Sequence, residues 1–392
     1  MMRSFQAVLI TAVGLGMLCA AGGTAQAQFR QTNLVSDIPG LAAVTDPNLI
    51  NPWGVSNLPG SPFWVSNQGT GTSTLYTITG STGAMPANFF PPNSVAIPAP
   101  GPTGQVANAG ASFLINPTPM APNGTPALFI FANLNGSIYA WNTNNVDGVT
   151  NPAVLAASTP GASYTGLAIT PVTSPNPPML YAANGNTGAI DVFNSSFGST
   201  SVAGGFLNPT LPSGFVPFNV EDIGDKVYVT YAPEGHAAQL DATAGQGWVS
   251  VFDENGNLLK NLVEGGPLAA PWGMAIAPTG FGPFGGDLLV GNFSPVDPGI
   301  NAFNATTGAF EGSIPVDVGV GNTAGGLWDL TFGNGGTGDP MTLYFTDGIN
   351  GEADGLFAAI TVPEPSTWAM MLLGFSGLAL FASRRRAAPA IG

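Results

Sequence analysis

Five oxygen-bearing side chains, Asn51, Asn219, Glu221, Asp222 and Asp329, fall at loop or strand-end positions of a repeating pattern and are the set best suited to chemistry. Carboxylates and amides suit a hard cation such as Ca²⁺, which takes about six to eight oxygen ligands. Calcium is therefore the cofactor this set would hold. Burying two or more carboxylates without a counter-charge is costly, so a cation or raised pKa values must accompany such a cluster. The competing reading is that these are turn residues whose side chains satisfy nearby backbone groups. Other chemistries are largely closed. His236 is the single histidine, which excludes a histidine-cluster metal site, and no nucleophile-elbow motif accompanies it for a Ser-His-Asp arrangement. Asp253-Glu254-Asn255-Gly256-Asn257 copies the start of a Ca²⁺ loop but lacks the downstream bidentate Glu, so it reads as a hairpin turn. The run Gly333 to Gly338 contains no Lys and follows no helix-opening pattern, which argues against a phosphate cradle.

The elements that must position these residues are short strands in a repeat. Pro52-Trp53-Gly54-Val55, Ala111 to Ile115, Thr165 to Ile169, Phe218-Asn219-Val220, Trp272 to Ile276 and Trp328 to Phe332 align at positions 53, 111, 165, 218, 272 and 328. After each comes a buried-looking strand that runs into a polar turn: Phe63 to Asn67, Leu128 to Asn133, Leu180 to Asn184, Val227 to Tyr231, Leu288 to Asn292 and Leu343 to Asp347. A third strand follows, as in Ile138 to Asn142, Ile190 to Asn194, Val249 to Asp253 and Ile300 to Asn304, with Leu75 to Thr79 and Leu356 to Thr361 as looser copies. Three strands and a variable fourth, six times over, predict an all-β fold, a six-bladed β-propeller over residues 28–361. No fourth strand fits after Thr361, so Phe29 to Val35 is expected to supply the outer strand of the last blade and remove an open edge. On such a ring one face gathers Asn51, Trp53, Phe218, Trp272, Trp328 and the candidate carboxylates, together with Asn67, Asn133, Asn184, His236, Asn292 and Asp347. The recurring aromatics either pack blade against blade or line the channel mouth as a platform for sugars.

Composition narrows the partners. Charged residues are only 7% of the chain against 44% hydrophobic, with Gly 55 and Pro 36, a balance that disfavours long solvated helices while allowing a large core. The formal net charge is −15, and four of the seven cations (Arg3, Arg384, Arg385, Arg386) lie in the terminal segments. A body so acidic repels phosphate backbones, which excludes nucleic acid.

The ends read as addresses. Residues 1–27 carry Arg3, an apolar run from Ala7 to Ala20 and the small-x-small site Ala25-Gln26-Ala27, a secretory signal cleaved before Gln28. Cys19, the only cysteine, would leave with it, so neither disulfide nor thiolate chemistry is expected. At the other end stand Val362-Pro363-Glu364-Pro365-Ser366, an uncharged apolar stretch at 366–382 and Arg384-Arg385-Arg386. The stretch is at the short limit for a transmembrane helix, with the basic cluster and the tail 387–392 cytoplasmic. A plain single-span anchor is the alternative.

That ordered trio resembles the PEP-CTERM sorting signal over 362–386, with Pro363, Glu364 and Pro365 as the sorting motif. The resemblance implies processing by exosortase in Gram-negative bacteria that make extracellular polysaccharide. It further implies export across the inner membrane, transient anchoring, cleavage near Pro363 to Ser366, and a final place in the cell envelope or outside the cell. Over 29–361 the pattern resembles NHL-type and gluconolactonase-like propellers. Leu327 to Gly335, Leu343 to Gly348 and Glu352 to Phe357 are similar to an uncharacterised family of exported bacterial propellers. The gluconolactonase-like resemblance implies a channel metal held by Glu, Asn and Asp; Asn51, Asn219 and Asp329 occupy matching loop positions, and no early Glu completes the pattern. Two functions follow. One is a non-enzymatic scaffold that binds protein or glycan, with exopolysaccharide or envelope proteins as partners. The alternative is a Ca-dependent gluconolactonase-like hydrolase.

Overall fold

A local irregularity, shared by all six, defines the innermost strands more consistently than the aromatic that four of them carry. In a computed structural model that describes residues 29–80, 83–86 and 93–363, six antiparallel sheets stand around one axis, and Gln28–Glu364 forms one compact unit. The innermost strands are Pro52–Ser56, Pro102–Ala107, Tyr164–Ile169, Phe215–Asp222, Pro271–Ile276 and Leu327–Phe332. Each of the six slips register against its second strand at the same point, at Trp53-Gly54 and its counterparts. A bulged residue leaves the ladder and re-aims the chain, and here it brings one inner strand against the next. A Cβ at Gly166 would run into Asn219, and one at Gly273 into the Trp328 carbonyl, so only glycine lets these strands approach so closely.

The second blade corrects the repeat. Its inner strand is Pro102–Ala107, not Ala111 to Ile115; Leu114–Ile115 instead pairs with Thr125–Pro126 in a separate two-stranded ribbon. Phe113 suits an inner strand by residue type, but its backbone is left-handed (φ 59°), which breaks an extended run. The bulge falls at Thr103-Gly104, where no aromatic marks it.

The N-terminal segment closes the ring. Arg30–Ser36 pairs antiparallel with Leu356–Thr361 as the fourth strand of the last blade, and Val44–Thr45 adds a parallel edge beyond it. Leu34 and Val35 are fully buried there, and the Ser36 hydroxyl donates to the Gly355 carbonyl at 2.7 Å. The core lies between blades, as where Leu289 and Ile300 of the fifth blade meet Phe345 and Ala358 of the sixth. Helices are few and short, and none among the described residues is long and apolar enough to cross a membrane. The expected signal at 1–27 and the sorting helix at 366–382 lie outside the described residues.

Candidate functional site

The ring bulges place aromatic side chains at one end of the channel. Trp53 stacks on Trp328 with ring centroids 3.4 Å apart, Trp272 meets both edge-on, and Phe218 and Phe293 close on Trp328 at 5.8 and 4.5 Å. All five rings are buried. Edge-to-face and offset pairs of this kind each add about 0.5–1.5 kcal/mol beyond area burial. The cluster plugs the channel: Trp272 and Trp328 serve blade packing alone, while Trp53 and Phe218 also line a cavity above them.

That cavity is about 470 Å³ and is walled by Asn51, Gln68, Leu134, Ser163, Asn186, Phe218, His236, Gln239 and Glu352. Asn51 ties its floor together. Its side-chain carbonyl accepts from the Trp328 indole N–H at 2.9 Å, and its amide donates to Glu352 at 3.0 Å and to Gln68 at 3.2 Å. Both Asn51 (φ 46°) and Glu352 (φ 68°) hold left-handed backbone, a conformation that a non-glycine residue adopts at a cost and that clusters at functional sites. The other Glu352 oxygen pairs with His236 Nε2 at 2.8 Å, and His236 opens the short helix His236–Leu240 in the insertion after the second strand of the fourth blade. The hydrogen bond to Glu352 raises the histidine pKa above its ordinary value, against a smaller lowering by burial.

A second cavity, about 260 Å³, lies at the far ends of the inner strands and holds Glu221, Asp222 and Asp329 beside Asn57 and Gln105. Asp329 bridges the sixth blade to the first: one oxygen accepts from the Val55 N–H and the other from the Leu330 N–H at 2.8 Å. Burial pushes its pKa to about 7 despite those two bonds. Burial likewise lifts Glu221 well above the carboxylate range, with the Asp329 charge adding to it and the Asn219 amide opposing. Asp222 rises to about 7 through burial, then through the charges of Glu254 and Asp225. Asn219 stands between the two cavities, where its amide donates to the Trp272 carbonyl at 3.2 Å and so joins the fourth blade to the fifth.

The five candidate residues are thus divided. Asn51 opens on the upper cavity, Glu221, Asp222 and Asp329 on the lower, and Asn219 sits in the wall between. The division follows from strand direction, because a residue before the bulge and one after it leave the sheet at opposite ends of the channel. Both oxygens of Asp329 are engaged by backbone N–H groups, whereas Asn219 Oδ1 and both Asp222 oxygens have no protein partner. Among the described residues no three His, Cys, Asp or Glu side chains converge as a metal shell would require.

The strand-end amides hold turns. Asn133 donates to the Pro98 carbonyl (2.9 Å), Asn184 accepts from the Ser163 N–H (3.1 Å), Asn292 accepts from the Ala269 N–H (3.0 Å), and Asn67 donates to Thr74 Oγ1 (2.9 Å). Asp347 fills the same strand-end position in the last blade. It is 1% exposed with one oxygen unpartnered, and burial raises its pKa well above the usual range. At Asp253 to Asn257 the chain makes an ordinary turn, with Asp253 accepting from the Asn257 N–H at 2.9 Å.

Glu352, Gln68, Gln239, Ser163 and Asn186 escaped the sequence reading. A signal existed for the first of them: Asn350-Gly351 favours left-handed backbone, and both residues adopt it, which turns the following Glu352 inward.

Comparison with known proteins decides the family. Uncharacterized protein R648 of Acanthamoeba polyphaga mimivirus is 30% identical over 339 residues, 83% of this chain and 78% of that protein. The chain belongs to the R648 family. Uncharacterized protein L690 of the same virus, 31% identical over 290 residues, covers 71% of this chain and 72% of its own length. Residues 361–386 of this R648-family member match the PEP-CTERM protein-sorting motif, which implies export and sorting in Gram-negative bacteria and processing by exosortase. Among solved structures, a streptogramin B lyase is similar with a TM-score of 0.48 at 10% identity, over 85% of this chain and 97% of that one. A gluconolactonase, XC5397 from Xanthomonas campestris, gives a TM-score of 0.37 at 15% identity, over 60% of this chain and 82% of that one.

Proposed function

We propose that this exported propeller is a non-enzymatic binding scaffold for protein or glycan at the cell envelope or in the extracellular matrix, with the upper cavity as its recognition site. The observation that carries the reading is the plug of Trp53, Trp272, Trp328 and Phe218. It stands between Asn51 in the upper cavity and Glu221, Asp222 and Asp329 in the lower one, which supports a ring whose oxygen-bearing side chains do not gather around one channel metal. Bridging contacts engage the Asn219 amide with the Trp272 carbonyl and the Asp329 carboxylate with the Val55 N–H, so both groups join blades. What remains open is a pre-formed concavity with a few convergent polar groups, the general form of a ligand site.

The Ca-dependent hydrolase is the second reading, favoured by the carboxylates of the lower cavity. Incubation of the protein with glucono-1,5-lactone and Ca²⁺ separates the two. The scaffold reading expects hydrolysis no faster than the spontaneous rate. Turnover that is lost in Asp329→Asn and restored by neither Ca²⁺ nor Mg²⁺ would replace it with the hydrolase.

A further inference from the structure

We infer that the upper cavity takes an uncharged saccharide, one or two rings at the end or along the edge of a glycan; the inference rests on the scaffold reading and supplies its ligand class. Charge comes first. Glu352 is the cavity's carboxylate, and it is already matched by His236 at 2.8 Å and by the Asn51 amide at 3.0 Å. A wall whose charges are paired has little to offer an ionic ligand, and a chain of net charge −15 repels uronate- or sulfate-bearing polymers.

Hydrogen bonding points the same way. Ser163 and Asn186 line the cavity with the Ser163 hydroxyl and the Asn186 carbonyl oxygen unbonded within the described residues, while the Asn186 amide is anchored to Gly161 at 2.7 Å. The second ring nitrogen of His236 adds a group that donates or accepts with tautomer and protonation. A cation would use acceptors alone and an inorganic anion donors alone. A sugar hydroxyl both donates and accepts, which matches this mixed set.

Trp53, Phe218 and Leu134 supply the apolar part of the lining. Trp53 is 4% exposed, and its indole N–H has no protein acceptor, a buried donor without a structural account. A volume of about 470 Å³ falls in the range of small-ligand sites. The walls are also fixed in advance, because Asn51 and Glu352 lock each other in left-handed backbone. A pre-organised wall loses less entropy when a ligand binds.

The test is an array of immobilised neutral, uronate-bearing and sulfated oligosaccharides probed with the full chain, followed by calorimetric titration of a neutral glycan that binds. Asn186 is exposed, so Asn186→Trp obstructs the mouth without disturbing the core. Binding of neutral glycans, weakened at least about tenfold in Asn186→Trp with an unchanged melting temperature, supports the site. His236→Ala, a change at another exposed residue of the lining, should weaken it as well. Signal on acidic glycans alone, no signal on neutral ones, or full affinity in Asn186→Trp overturns the saccharide assignment and leaves the scaffold reading open to a protein ligand. Shortening of the bound oligosaccharide during the titration has the opposite meaning: the site stands and the non-enzymatic reading falls.

Discussion

Asn51 and Glu352 lie 301 residues apart in the chain and meet through a 3.0 Å hydrogen bond, each held in left-handed backbone. The pair joins the entry to the first blade with the turn between the second and third strands of the last, at the cavity above the aromatic plug. Ring closure therefore positions the upper site, and the two should fail together.

Replacement of Asn51 tests that link. Asn51→Ala removes the acceptor for the buried Trp328 N–H and keeps a Cβ in left-handed backbone, so a loss of about 2–4 kcal/mol is expected from urea unfolding. Asn51→Gly removes the same bonds but relieves the backbone, and should lose about 1 kcal/mol less. Equal losses would show that backbone strain contributes nothing.

The closing strand is legible in its consequences too. Leu34 is fully buried where Arg30–Ser36 meets Leu356–Thr361, so Leu34→Ala should cost about 2–5 kcal/mol. Removal of residues 28–36 should lower the melting temperature sharply. An unchanged melting curve would contradict the closure.

Acidity should stabilise the fold. Asp329 and Asp222 have pKa values raised to about 7, and burial lifts Asp347 and Glu221 well above the usual carboxylate range, so between about pH 4 and 7 the native state holds protons that the unfolded chain has released. Stability must then fall as pH rises through that window. For Asp329 alone a rise from 3.8 to about 7 corresponds to roughly 4 kcal/mol. His236, raised by Glu352, contributes stability that is full below its unfolded pKa and is lost above the folded one, which adds to the same slope. Asp147, lowered to about 2, acts only at the acid end. Urea midpoints at pH 5 and pH 8 check this, and a higher midpoint at pH 8 contradicts it. Asp347→Asn, which installs the amide found at the matching position of four other blades, should raise the pH 8 midpoint and flatten the slope.

The sorting motif makes a prediction about mass. The exported protein should end near Pro363 to Ser366 and begin at Gln28. A mature species that still carries Arg384, Arg385 and Arg386 would reduce the C-terminus to a plain anchor.

Most of the ring was readable because a propeller repeats its physics. Second strands such as Phe63–Asn67 and Leu288–Asn292 are buried on both faces and end in an amide that ties a turn, so they announce themselves as apolar runs closed by Asn. The second inner strand was misplaced because the shared feature is a bulge that admits the neighbouring strand, and Thr103-Gly104 has that bulge without an aromatic. The upper site was half readable. Asn51 and His236 stood out by type, while Glu352 and Ser163 come together only through a ring closure that no local pattern encodes. The separation of Asn51 from Asp329 likewise depends on which end of the channel each strand faces.

The most direct test of a closed, metal-independent ring is calorimetric unfolding of the protein with Ca²⁺ and with EDTA. A ligand held only by the folded state raises the midpoint by mass action. With the channel plugged by tryptophan and the oxygens of Asp329 committed to Val55 and Leu330, the two melting temperatures should agree. A rise of several degrees in Ca²⁺ that disappears in Asp329→Ala and Asn219→Ala would contradict the account and place a cation at the ring.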